Sequence, residues 1–163
     1  MDSALTTAIK EENSLFSKLN QEQIKVLYSI APIKRLKEEQ TLIKEGDHDQ
    51  TVYLVLDGEI RIVKDFQGQD SLLGTVGKGC WLGEISFTKK IPRMASAIAN
   101  KPSTVMAIEE STLGALDEDV QLLFLRQMNE LSYERIRELE AKESRLSSRN
   151  RRLMDNLFNA HVK

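Results

Sequence analysis

The stretch from Leu82 to Ala97 reads LGEISFTKKIPRMASA, and three of its residue types converge on anion chemistry. Gly83 closes an apolar run and precedes a short amphipathic turn, an arrangement that exposes backbone amides at a helix N-terminus, where anions are favoured. Arg93 follows ten residues later. Its guanidinium is a planar fork that can grip a phosphate in two places, and Pro92 before it keeps the chain out of a helix. Glu84 accepts hydrogen bonds only, which suits the hydroxyls of a sugar. Amides and arginine for a phosphate, with a carboxylate for hydroxyls, amount to a clamp of nucleotide size. The alternative is that Glu84 and Arg93 pair with each other in an empty site. Lys89 and Lys90, between the two halves, read as solvated surface.

Other chemistry is poorly supplied. The two histidines, His48 and His161, fall in a polar turn and near the C-terminus. Neither a nucleophilic triad nor a metal site can be assembled from them. Cys80, the only cysteine, lies between Gly79 and Trp81, where a strand and a small buried hydrophobe are expected. No catalytic residue, metal ligand or cofactor is therefore assigned, and the chain is not expected to be an enzyme.

The elements that must carry the clamp follow from glycine placement. Seven of eight glycines lie between positions 46 and 83, while residues 1–31 and 115–163 contain neither Gly nor Pro. In the first part Asn20 and Gln23 form a capping box, and Ile24, Leu27, Tyr28 and Ala31 share one helical face up to Pro32. In the middle, Thr51–Leu56, Glu59–Lys64, Ser71–Val76, Ser96–Ala99 and Thr104–Ile108 are short strands, and glycine-bearing turns punctuate the region, as in an antiparallel roll. The expected fold is α+β: a jelly-roll-like β-roll with helices before it and one long helix after it. The expected boundaries are residues 1–32 for the N-terminal helices, 33–116 for the roll and 117–163 for the long helix.

That last helix repeats every seven residues. Leu139, Leu146, Leu153 and Ala160 form one series, and Ile136, Glu143, Asn150 and Leu157 form another three residues ahead of each. Read as d and a positions, they call for a partner helix, and Asn150 at a selects a parallel pair in register. Glu143 weakens the seam, and a single amphipathic helix folded back on its own domain is the alternative. The dimerisation residues are thus Ile136, Leu139, Leu146, Asn150, Leu153 and Leu157.

Residues 82–97 resemble the phosphate-binding cassette of the cyclic nucleotide-binding domain family, whose sensor domains include that of the catabolite activator protein. The matching segments are Leu82-Gly83-Glu84-Ile85-Ser86-Phe87 and Pro92-Arg93-Met94-Ala95-Ser96. The surrounding IKEGD, VYLVLDGEIRI and GKGCWLGE also look like the family's successive strands, so the likeness runs over about residues 14–135. It implies that Arg93 pairs with a cyclic phosphate and that Glu84 takes the ribose hydroxyl. Gly83, Ile85 and Ala95 would line the sugar-phosphate, with Ser86 beside them, and Tyr133, Arg135 and Ile136 would lie near the base. Met94 stands where the family often has a hydroxyl or alanine, which tells against a threonine-based route to cGMP and favours cAMP.

Composition sets the remaining limits. With 163 residues, 40% hydrophobic and 29% charged, the chain has material for one core. Its net charge of -2 gives no general attraction to nucleic acid or membrane, so neither is an expected partner. The cluster Arg145, Arg149, Arg151 and Arg152 would be the local exception, although such charges can simply solvate a helix face. One cysteine and no apolar leader point to the cytoplasm. The functional expectation is a homodimeric cyclic-nucleotide sensor, signalling through its coil to an unidentified downstream protein and pivoting near Gly114–Glu118. A ligand-free scaffold is the alternative.

Overall fold

The computed structural model describes residues 14–161. Two helices lead, α1 (Ser14–Lys18) and α2 (Gln21–Ile30). The capping box forms as expected: the Gln23 amide donates to Asn20 Oδ1 at 2.9 Å and the Asn20 amide to Gln23 Oε1 at 2.9 Å. Ile24, Leu27 and Ala31 are buried, the face that the spacing marked.

Eight strands follow: β1 (Ile33–Leu36), β2 (Thr41–Ile43), β3 (Val52–Asp57), β4 (Glu59–Phe66), β5 (Gln69–Gly77), β6 (Trp81–Leu82), β7 (Ser96–Ala99) and β8 (Ser103–Ile108). They make two four-stranded antiparallel sheets with the orders β1-β8-β3-β6 and β2-β7-β4-β5. A short helix α3 (Glu84–Lys89) interrupts them between β6 and β7. After β8 come α4 (Glu110–Gly114) and α5 (Glu118–His161). This is the α+β roll that the strand pattern called for. β1, β2 and β6 are too short to show a period of their own, and only their partners reveal them.

The inner faces interdigitate through Leu36, Ile43, Tyr53, Val55, Ile60, Leu82, Ala97, Ala99, Val105 and Ala107. β3 is buried from Val52 to Leu56 because both faces of this central strand are covered, which explains its continuous apolar run in place of alternation. Gly58 reverses the chain between β3 and β4 at φ +100°, and a Cβ there would stand 2.6 Å from the Ser103 backbone. Only a residue without a side chain fits.

One local expectation needs correction. Cys80 is not in a strand but in the turn before β6, half-buried. It lies there because its amide donates to Gly77 O at 3.2 Å and its carbonyl accepts from Val55 N at 2.9 Å. Gly74 pairs with Ile62 inside β5, beside a register shift.

Contacts divide the chain into two compact units, with the boundary after Asn129, inside α5. The first turns of α5 belong to the roll through buried Val120, Phe124 and Met128.

Candidate functional site

Strand register builds the site. β6 pairs with β3 through Tyr53↔Leu82 and Leu54↔Trp81, so the chain leaving β6 at Gly83 passes the entrance to β3 at Thr51. Gly83 caps α3 at φ +81°, and a Cβ there would collide with Arg93 Nη1 and lie 2.9 Å from Thr51 O. The absent side chain is what lets the guanidinium sit against the start of α3. Gly83 O then accepts twice, from the Phe87 amide at 3.1 Å and from Arg93 Nη1 at 3.1 Å.

Arg93 is only 3% exposed. Its Nη2 donates to Asp49 Oδ2 at 2.5 Å and to Thr51 O at 2.6 Å. Its main chain is pinned as well: the Arg93 amide donates to Asp47 O at 2.8 Å, and its carbonyl accepts from Gly46 N at 2.9 Å. The Nε–H is buried without an acceptor among the described residues, which is rare for a charged donor.

Asp49 is organised for this contact. Its Oδ1 accepts from Thr51 N at 3.0 Å and from Thr51 Oγ1 at 2.6 Å, the short-range turn that Asp favours two residues before an amide. Burial opposes its ionisation, yet the hydrogen bonds from Thr51 and Arg93 outweigh it, and its pKa lies below the usual carboxylate value. On its outer side Asp49 opens on a shallow groove shared with Gln50, Thr51, Glu109 and Glu110. An anion approaching from there meets like charge.

The structure sets Arg93 against Gly83, with Glu84, Ile85 and Ser86 on α3 and Met94 and Ala95 just before β7. Glu84, first in α3, is 1% exposed. Ser86 is buried, and its Oγ donates to Pro92 O at 3.4 Å, tying the two halves of the cassette. Met94 is 48% exposed, and its carbonyl accepts from Lys64 Nζ at 2.8 Å. Lys90 Nζ reaches Glu110 at 3.0 Å on the surface.

Tyr133, Arg135 and Ile136 lie beyond the unit boundary, on α5; Tyr133 and Ile136 are exposed and Arg135 is half-buried. Among the seam residues, Ile136, Leu146 and Asn150 are exposed. The side chains of Leu139, Glu143, Leu153, Leu157 and Ala160 lie outside the described residues, as does His161's environment.

Sequence reading missed Asp49 and Thr51, which it left within a turn. The Asp-x-Thr spacing was the available signal, but its link to Arg93 spans 44 residues. It also missed the aromatic contact behind the cassette: Phe124 of α5 meets Trp81 edge-on at 5.5 Å and Phe87 of α3 at 5.9 Å. Two exposed leucines complete the list. Leu122 and Leu125 are 48% and 44% exposed, and they fall 14 residues before Ile136 and Leu139, in phase with the a and d series.

Comparison with known proteins places this geometry. The model of the cyclic nucleotide-binding domain matches residues 33–120, more than half of the chain. A cyclic AMP receptor protein of Thermus thermophilus is 28% identical over 95 residues, which are 58% of this chain and 44% of that protein. A cGMP-dependent protein kinase of Plasmodium berghei is 24% identical over 113 residues, 69% of this chain and 13% of the kinase. The chain thus spans less than half the length of these curated relatives. Among solved structures, the Thermus thermophilus catabolite activator protein superposes with TM-score 0.71 at 27% identity, covering 82% of this chain and 62% of that one. A cyclic nucleotide-binding domain from Methylobacillus flagellatus gives 0.72 at 25% identity, covering 83% and 78%. No helix among the described residues is long and apolar enough to cross a membrane.

Proposed function

Because the chain belongs to the cyclic nucleotide-binding domain family, we propose that it binds a cyclic nucleotide at Gly83–Ala95 and passes its occupancy to α5. The observation that carries this reading is the seat of Arg93. Gly83 surrenders its side-chain volume so that the buried Arg93 guanidinium sits against the start of α3, where Glu84 is the first residue and is itself buried. Arg93 takes the cyclic phosphate and Glu84 the ribose hydroxyl. Ile85, Ser86 and Ala95 line the sugar-phosphate, and Met94, which offers an amide but no hydroxyl, favours cAMP over cGMP. Tyr133, Arg135 and Ile136 serve the base.

Asp49, Thr51 and Gly83 hold Arg93. Those bonds use Nη1 and Nη2, and the Nε–H, which meets no acceptor among the described residues, is the donor a ligand can claim. The same observation gives the second reading some support, since an arginine satisfied by its own chain would also suit a ligand-free scaffold.

Signal transfer follows the aromatic contact. Phe87 rides on α3 and packs edge-on against Phe124 of α5, so a shift of the cassette helix is felt by the long helix. A ligand drives that shift only through unequal affinity for the two arrangements. The output is a parallel dimer. Leu122, Leu125, Ile136 and Leu146 are exposed apolar side chains in one heptad phase, and Asn129 joins Asn150 at a positions, where each pairs best with its own copy. We assign residues 1–32 to the lead helices, 33–116 to the sensing roll and 117–163 to the coil that meets a downstream protein.

Calorimetric titration of the full chain with cAMP and cGMP tests the ligand. Wild type should bind, and Arg93→Ala should lose about 2–5 kcal/mol, because a phosphate in the site is left without its cation. No heat and no thermal shift with either nucleotide would establish the scaffold reading instead.

A further inference from the structure

From Ser144 to Arg152 the sequence SRLSSRNRR contains four arginines and no acidic residue. All nine residues are exposed. Two other arginine forks of this chain are taken up by carboxylates: Glu39 holds Arg61 and Asp49 holds Arg93. Among the described residues, Arg145, Arg149, Arg151 and Arg152 have no such partner. Ser144, Arg145, Ser148, Arg149 and Arg152 line one shallow depression along the helix. They occupy successive turns of one face, with the hydroxyls of two serines between the guanidinium groups.

We propose that this face of α5 binds the phosphate backbone of a nucleic acid duplex. Three features select that partner. The cations are all arginine, whose planar fork matches phosphate geometry better than a lysine ammonium does. The serine hydroxyls between them are further donors of the kind that contact phosphate oxygens. A helix lying in a lipid interface needs large apolar anchors beside its cations, and the only large apolar residue here is Leu146, which belongs to the seam. The overall charge of -2 supplies no long-range attraction, so the contact is local, independent of base sequence and steep in salt. It needs no ligand in the roll, and a failed nucleotide titration would leave it standing.

The test is fluorescence anisotropy of a labelled DNA duplex of mixed sequence with the full chain. Affinity should fall with a log–log salt slope of about -3.6, at roughly -0.9 for each phosphate neutralised, or about 150-fold between 50 and 200 mM salt. Replacing all four residues (R145Q, R149Q, R151Q and R152Q) should abolish binding at 50 mM salt while far-UV circular dichroism keeps its helix signal. The matching lysine variant (R145K, R149K, R151K and R152K) should bind with the same slope at lower affinity. Absence of duplex binding by wild type at 50 mM salt would overturn the proposal. So would equal binding by the glutamine variant, or binding to phosphatidylserine vesicles with none to duplex.

Discussion

Replacing Asp49 by asparagine isolates the ion pair at the centre of the site. Asp49 uses both oxygens, Oδ2 on Arg93 at 2.5 Å and Oδ1 on the amide and hydroxyl of Thr51. Asparagine has one oxygen and one NH2, so either orientation sets a donor against a donor. One charge-assisted hydrogen bond is lost, worth about 1.5–3 kcal/mol when shielded from water. The Asp49 side chain is 45% exposed while that of Arg93 is 2% exposed, so solvent screening reduces the loss to about 1–2 kcal/mol. For a chain of this size that is a fall in Tm of about 2–8 °C.

The pH dependence identifies the cause. The folded pKa of Asp49 lies below its ordinary value, so its contribution is complete above the unfolded pKa of about 3.9 and is lost as pH falls through the folded one. Wild type and Asp49→Asn should differ fully at pH 7 and converge in acid below that range. Differential scanning calorimetry across pH, without nucleotide, makes the comparison. Equal stability at pH 7 would refute the pairing, and a gap unchanged in acid would show that the mutation acts through shape and not charge.

Three further outcomes follow from the same geometry. Gly83→Ala meets both a left-handed φ and a collision with Arg93; it should cost about 1–3 kcal/mol in chemical denaturation and reduce cyclic-nucleotide affinity in calorimetry by displacing the guanidinium. Phe124→Ala empties the space between Trp81 and Phe87 and should destabilise the roll by about 3–5 kcal/mol. Changing exposed Leu122 and Leu125 together to lysine should leave the monomer's thermal transition in place but convert dimer to monomer in sedimentation. A monomeric wild type would remove the coil.

Much of the site was legible because the cassette is local. Gly83, Glu84, Pro92 and Arg93 lie within eleven residues, and the chemistry of a helix start, a carboxylate and a fork can be read from residue types alone. Strands were legible as apolar runs, as in β3, and glycines marked turns, but β4 keeps no simple period, because Ile60 and Val63 are its buried residues across a register shift after Ile62. Asp49 was not legible as a partner. Its own spacing explains only its bonds to Thr51, whereas Arg93 reaches it because β6 pairs with β3 and β7 closes the other sheet.

Sequence alone determined the order of helices and roll, the cassette and the heptad phase of the last helix, since each depends on spacings of a few residues. Tertiary structure decided which carboxylate the Arg93 fork holds, which aromatic backs the cassette and which apolar residues of α5 stay exposed. Those outcomes depend on the register of strands far apart in the chain and on which helix face the roll covers. Phe124 goes inward and Leu122 stays outside, although both are apolar residues two positions apart on one helix.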